Sequence, residues 1–398
     1  MSGLFDKLSL RDLDVMNKKV LVRVDFNVPL NDKGEVTDDT RIRESLPTIR
    51  YIIEHGGAAI LMSHLGRPKG KRVPEMSLRP AATALAKMVN APVALAPDCV
   101  GAEVESMCRA LAPKGVLLLE NLRFHKAEEE NDLAFAKQLA SLGDVFVNDA
   151  FGSSHRAHAS VEGITHYIPA AMGMLVEKEL KYFGRALTNP DKPFVAIVGG
   201  AKVSDKLPVL SNLLDKVNCI LIGGGMCYTF LKAKGISIGL SKVENEQVGL
   251  ALQTMSEAEK AGVTIHLPFD HVLAKAFSAD AERNTVKGAI PDGWMGLDIG
   301  PETARFFASI ARNAGTVVWN GPLGVFEMEP FSYGSKVVAQ GVADCHGTTI
   351  IGGGDTAAAV ALFGLSDKMS HVSTGGGASL ELLQGLQLPG IASLSDRK

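Results

Sequence analysis

Short runs of Val, Ile, Leu and Ala recur along the chain, each followed by a stretch of helix length. In the first half they predict strands at 19–28, 58–63, 92–96, 115–120 and 145–149. In the second half they predict strands at 194–198, 219–222, 264–268, 316–319, 348–351 and 371–374. Nearly continuous apolar runs, rather than strict alternation, mark strands covered on both faces, as in parallel sheets. Between them, Val203, Leu207, Leu210, Leu214 and Val217 fall on one helical stripe. Ser204 is the candidate N-cap of that helix, with Pro208 tolerable only near its start. Ser77 stands likewise before Leu78, Ala81, Leu85 and Met88. A helix over 172–187 is stopped by Asn189-Pro190. The strands are too many for one compact sheet. The expected fold is therefore α/β, with two doubly wound parallel-sheet domains and the 172–188 helix connecting them.

Composition narrows the function. The chain has 398 residues, 46% hydrophobic and 21% charged, and a net charge of −3. These values fit a globular enzyme-sized protein and offer no basic excess for nucleic acid or an anionic membrane. No apolar run approaches the ~18 residues of a membrane span. The N-terminal residues lack a basic and apolar leader pattern, so a cytoplasmic protein is expected. None of Cys99, Cys108, Cys219, Cys227 and Cys345 forms Cys-x-x-Cys, which points to free thiols rather than a metal site.

In open parallel sheets, ligands bind beyond the carboxyl ends of the strands. In the first half those ends carry Asp25 and Asn27, His64 and Arg67, Arg123, and Asp149. In the second half they carry Gly199-Gly200, Gly223-Gly224-Gly225, Gly352-Gly353-Gly354 and Gly375-Gly376-Gly377. Residues 1–170 hold 11 of the 16 arginines. Arginine grips carboxylate and phosphate with a planar fork, so a small, multiply anionic ligand is expected there. The glycine ends either let backbone approach phosphate or simply form tight strand-to-helix turns.

Individual motifs leave alternatives open. Gly352-x-Gly354-x-x-Ala357 has the form of a dinucleotide fingerprint and would suit an NAD-dependent dehydrogenase. Asp355 inside it would repel a pyrophosphate unless a Mg²⁺ ion stood between them, which favours a nucleoside phosphate; it is also a candidate helix cap. Lys202 and Lys206 would share a helical face, either solvated or around a phosphate. Asp25 and Asn27 either meet a substrate together or form a turn before Pro29. His64 either binds an anion or caps a helix. Glu327 is either an exposed loop acid or a ligand. His155-x-x-His158 reads as a brace for Arg156, or as loop residues, rather than a metal pair. A nucleotide-binding regulatory module is the non-enzymatic reading.

Taken in order, these segments resemble phosphoglycerate kinase. The resemblance rests on Arg23–Pro29, Ser63–Pro68, Glu120–Phe124, Val147–Gly152, His155–His158, Gly199–Lys206, Gly296–Pro301, Trp319–Glu327, Gly352–Thr356 and Ser373–Ser379. It implies two Rossmann-like domains joined by a hinge helix: 1–171 for phosphoglycerate, 172–188 as the helix, and 189–378 for nucleotide. Residues 379–398 would return to the N-terminal domain. It implies reversible, Mg²⁺-dependent phosphoryl transfer from 1,3-bisphosphoglycerate to ADP, giving 3-phosphoglycerate and ATP, in a monomer whose domains close. Asp25, Asn27, Arg41, His64, Arg67, Arg123 and Arg156 would hold phosphoglycerate, and Arg41 and Lys206 would be catalytic. Gly199, Lys202, Lys206, Gly223, Gly224, Leu297, Asn320, Glu327, Gly353, Gly354, Asp355 and Thr356 would hold the nucleotide, with Asp355 on the metal. Ser153-Ser154 and Met226-Cys227-Tyr228 depart slightly from the family pattern without removing a charged ligand.

Overall fold

The computed structural model describes residues 6–89 and 91–397. The first five residues, part of the segment read above for a leader, lie outside the described residues, as do Asn90 and Lys398. Two compact units divide the chain, Met1–Lys181 with Gln387–Lys398, and Tyr182–Leu386.

The first unit is built on six parallel strands: β1 (Lys19–Arg23), β2 (Ala58–Met62), β3 (Val93–Leu95), β4 (Val116–Leu118), β5 (Val145–Asn148) and β6 (Ala170–Met172). Their order is β3-β4-β2-β1-β5-β6. Val20 and Val22, Ala59 and Leu61, Val116 and Leu118, and Val145 and Val147 alternate onto one face. There they pack against Ile42, Leu46, Ile49 and Ile52 of the helix Thr40–Glu54 and Leu78, Ala81 and Leu85 at the helix Arg79–Ala86. The opposite face buries Leu21, Ile60, Leu117 and Phe146. This two-sided burial is why the strands read as unbroken apolar runs.

The first strand ends at Arg23, not residue 28. Beyond it Val24 N still donates to Met62 O at 2.9 Å, but Phe26 N turns to the Ser63 hydroxyl at 2.8 Å. β6 was not expected, because Ala-Ala-Met abuts the next helix without a break in composition. That helix spans Met174–Thr188, and the boundary between the units falls within it. Its start is set by side chains of the first unit. Thr48 Oγ1 accepts from Met174 N at 2.8 Å and Asp149 Oδ1 from Leu175 N at 2.9 Å. The C-terminal return begins at Gln387 rather than 379, because residues 376–383 form a helix tied into the second unit by Asn212 Nδ2 donating to Leu383 O at 2.8 Å. Beyond it, Asn148 Nδ2 donates to Gly390 O at 2.7 Å and Leu8 N to Ser395 O at 2.8 Å.

Burial pushes the Asp149 carboxyl up to about 8, against the downward pull of the Leu175 and Val176 N–H groups and Thr48. A carboxyl raised on folding stabilises the fold while protonated. Its contribution is full below about pH 4, its unfolded value, and is lost as pH rises through about 8. Wild type should therefore lose stability relative to Asp149→Asn over that window, by at most about 1.4 kcal/mol per pH unit. Urea midpoints of both proteins across the range check this, and parallel curves would refute it.

The second unit carries β7 (Phe194–Val198), β8 (Cys219–Ile222), β9 (Thr264–His266), β10 (Asp270–Ala274), β11 (Arg283–Lys287), β12 (Met295–Ile299), β13 (Thr316–Asn320), β14 (Thr348–Gly352) and β15 (His371–Val372). Six of them form a parallel sheet in the order β15-β14-β13-β7-β8-β9. Val195, Ile197, Val317, Trp319 and Ile351 join Phe307, Val338 and Val342 in its core. The remaining three form an antiparallel sheet, β11-β10-β12, that the sequence did not disclose. β11 is largely exposed on both faces and β12 carries Gly296 and Asp298, so neither shows an apolar run. The predicted stripe Val203, Leu207, Leu210, Leu214 and Val217 is buried. The helix itself spans only Leu207–Leu213, with Lys206 rather than Ser204 as N-cap. Pro208 must sit in the first turn, where its missing N–H costs nothing, and so fixes the start. Ser204 instead donates its hydroxyl to Glu244 Oε1 at 2.7 Å.

Candidate active site

In each parallel sheet the first strand is flanked by later strands on both sides, so the strand order changes direction between β1 and β5 in the first unit and between β7 and β13 in the second. The crevice at such a reversal is where an open α/β sheet binds its ligand. Some of the candidate residues lie at these two places: Asp25 and Asn27 follow β1, Arg156 follows β5, Gly199 follows β7 and Asn320 ends β13.

In the first unit, Arg23 ends β1 with its side chain fully buried. Its Nε donates to Ser160 Oγ at 2.9 Å, one terminal nitrogen to Val24 O at 2.5 Å, and the other meets His64 Nδ1 at 3.0 Å. Behind it, Glu128 accepts from the Ser160 hydroxyl at 2.6 Å and from Ser160 N at 2.9 Å. Burial lowers the Arg23 pKa while Glu128 and Asp25 support its charge. Burial also drives the His64 pKa well below its usual value, Asp25 opposing and the arginines 23, 123 and 41 assisting. His64 is therefore neutral, a hydrogen-bonding group rather than a cation. Arg41 donates to Asp25 Oδ2 at 2.6 Å. Burial would raise the Asp25 carboxyl, but the Arg41 and Arg23 charges and the Asn27 N–H together hold it below the usual range. Asn27 Oδ1 accepts from Gly66 N at 2.9 Å. Arg123 is buried; it donates to Gly66 O at 2.9 Å, stands 3.5 Å from Glu129, and its Nε has no hydrogen-bond partner among the described residues. Arg156 donates to His155 Nε2 at 3.1 Å, and its charge is felt at Arg123 and His158. Arg67 is exposed beside Gly66.

In the second unit, a small cavity of about 160 Å³ is lined by Lys206, Asn320, Gly321, Gly353, Gly354, Asp355, Thr356, Gly376 and Leu380. Lys206 Nζ donates to Asn320 Oδ1. Burial lowers the Lys206 pKa, with Asp205 and Asp355 supporting the charge. Asn320 is buried at the end of β13, and its Nδ2 has no partner among the described residues. The helices Gly354–Leu362 and Gly376–Leu383 both begin at this cavity, adding two positive dipole ends to the ammonium. Thr356 Oγ1 accepts from Gly321 N at 2.6 Å. Asp355 lies in the first turn of its helix, exposed at the cavity rim. A concave site with one ammonium, one amide N–H₂ without a partner among the described residues and two helix N-termini gathers the donors and positive charge that suit an anion. An exposed carboxylate on its rim suits a hard cation such as Mg²⁺, which binds through one or two carboxylates and the phosphates themselves.

The structure sorts the glycines that the sequence presented as equivalent. Gly353, at φ +90°, and Gly354 open onto the cavity, and a Cβ at Gly354 would meet nothing. Gly199 instead faces backbone of the 321–323 turn, where a Cβ would collide with Pro322 O, and Gly224 faces Gly200 backbone and Pro322 O. Gly223 lies against Leu323. These three are needed for close packing of chain on chain. Leu297 packs with Ala274 and Phe331, Glu327 and Lys202 are exposed, and none of them lines the cavity. Lys202 and Lys206 do not share a helical face, since the helix begins after both. Sequence reasoning placed Arg23 in no site. Its only signal was a charge inside an apolar strand, which burial alone makes costly enough to need a purpose.

The family model described as phosphoglycerate kinase matches residues 10–386. The phosphoglycerate kinase of Moorella thermoacetica is 58% identical over 392 residues, covering 98% of this chain and 100% of that one. The phosphoglycerate kinase of Chloroherpeton thalassium is 57% identical over 395 residues, covering 98% and 99%. Among solved structures, phosphoglycerate kinase from Coxiella burnetii superposes with a TM-score of 0.89 at 45% identity, covering 97% of this chain and 98% of that one. The reading of Gly352-x-Gly354-x-x-Ala357 as a dehydrogenase loop is not supported, and neither is a purely regulatory module. With a match from end to end in sequence and in fold, the chain belongs to the phosphoglycerate kinase family and is a phosphotransferase acting between 1,3-bisphosphoglycerate and ADP.

Proposed function

We propose that the two units divide the reactants. Met1–Lys181 takes phosphoglycerate on Arg123, Arg156, Arg67, Arg41, His64, Asp25 and Asn27. Tyr182–Leu386 takes the nucleotide at the cavity and around it, with Lys202 and Gly199 toward its phosphates, Glu327 on its ribose, and Leu297, Gly223 and Gly224 against its adenine. The observation that carries this reading is the unpartnered Asn320 Nδ2 beside the Lys206 ammonium, a pair of donors aimed into a cavity at the β7/β13 reversal.

Transfer of a phosphoryl group needs positioning and charge neutralisation rather than a covalent intermediate. Lys206 and the two helix N-termini would hold the phosphate oxygens of the nucleotide. Asp355 would hold Mg²⁺, which when bound neutralises charge on those oxygens. Arg41, released from Asp25, would meet the group in transfer from the phosphoglycerate side. Neutral His64, oriented by Arg23, would donate or accept a hydrogen bond without adding charge. Closure of the units with both ligands bound would exclude water, which otherwise hydrolyses an acyl phosphate. The enzyme is read as a cytoplasmic monomer.

The test is ATP consumption. ADP should form only with Mg²⁺ and 3-phosphoglycerate together, and small-angle scattering should show compaction when both substrates bind. ATP loss that ignores 3-phosphoglycerate, or scattering unchanged by the pair, would count against this reading.

A further inference from the structure

Asp98, Cys99 and His125 lie outside the residues assigned above, and each offers a ligand atom within 4.8 Å of the other two. Asp98 and Cys99 follow β3, and His125 closes the turn Leu122–Phe124 after β4, the neighbouring strand. We propose that these three side chains form a binding site for a divalent cation of the zinc class, with a fourth position open to solvent. Imidazole nitrogen, thiolate sulfur and carboxylate oxygen are the donors zinc takes, at about 2.0–2.3 Å. Tetrahedral bonds of that length put the ligand atoms roughly 3.3–3.8 Å apart, so the widest pair closes by up to about an ångström while Asp98 Oδ1 and His125 Nε2, now 2.7 Å apart, open by about half of one. Magnesium and calcium, which take oxygen ligands, do not suit this set.

The surroundings already orient the ligands. Cys99 forms a fully buried floor. The Asp98 and His125 side chains, about a third exposed at 34% and 31%, form the rim. Asp98 Oδ1 accepts from Cys99 N at 2.6 Å and meets His125 Nε2 at 2.7 Å. Phe135 stacks on the imidazole with centroids 5.2 Å apart. Arg72 stands 3.9 Å from Asp98 Oδ2, the oxygen turned away from the histidine. Such outer contacts fix ligand geometry before an ion arrives. On binding, the thiol proton leaves to solvent and the imidazole proton passes from Nε2 to Nδ1. The Asp98 carboxylate and the Cys99 thiolate then balance the two charges of the ion. The ligands come from separate loops, which is why cysteine spacing gave no sign of them. The same turn carries Arg123, so an ion here would pin one end of it.

Cobalt(II) titrated into the chelator-treated full chain tests this. One ion per chain should bind, with the visible bands of tetrahedral cobalt and a near-ultraviolet thiolate charge-transfer band, and zinc should displace both. Cys99→Ser should abolish the charge-transfer band, His125→Gln should weaken binding at least tenfold, and Cys345→Ser, at a thiol elsewhere, should change neither. No charge-transfer band with excess cobalt, or a band that survives Cys99→Ser, overturns the proposal. If Cys99→Ser does not fold, unchanged affinity in His125→Gln overturns it alone.

Discussion

Lys206→Ala should lower kcat by about 10²–10³ at saturating substrates, the usual cost of one preorganised donor aimed at developing charge. The expectation rests on placement. Lys206 caps a helix after β7, reaches across to Asn320 at the end of β13, and is partly desolvated in the cavity. A charge held dry and in place acts more strongly on a phosphate than a solvated one. Lys206→Arg should not restore the rate, because the guanidinium fork does not fit a point-charge site. Stopped-flow or coupled-assay kcat values decide it. A near wild-type kcat for Lys206→Ala would remove Lys206 from the chemistry.

Arg23→Met should destabilise the first unit by about 3–5 kcal/mol, the cost of leaving a buried charge without its counterpart. Arg23 and Glu128 are both fully buried and joined through Ser160. Without the guanidinium, Glu128 keeps its Ser160 hydrogen bonds and the more distant Arg123 charge, and the contact orienting His64 is gone. The denaturation midpoint of the variant measures this. A loss under about 1 kcal/mol would mean the network is replaceable by apolar packing, as some buried ion pairs are.

The parts of this molecule legible in its sequence share one physical origin. Strands covered on both faces are apolar throughout, so β1, β2, β5, β7, β13 and β14 stood out as unbroken runs. β11, exposed on both faces, carried no such mark, and β6 was masked by an adjoining helix of like composition. The candidate site was readable where a polar residue must follow a strand, as at Asp25, His64, Arg123, Lys206 and Asn320. Two things were not. Glycine is used both to admit a ligand and to admit another backbone, and only geometry separates Gly354 from Gly224. Arg23 looked like part of a strand because its partners, Ser160 and Glu128, come from more than 100 residues further along the chain.

The central claim is that each unit holds one reactant, and calorimetric binding of 3-phosphoglycerate and of Mg²⁺-ADP to two variants tests it most directly. Arg123→Ala should weaken 3-phosphoglycerate at least tenfold, a loss of about 1.4 kcal/mol or more, and leave Mg²⁺-ADP within twofold. Lys206→Ala should do the reverse. Either variant weakening the other reactant instead, or both weakening both alike, would contradict the division.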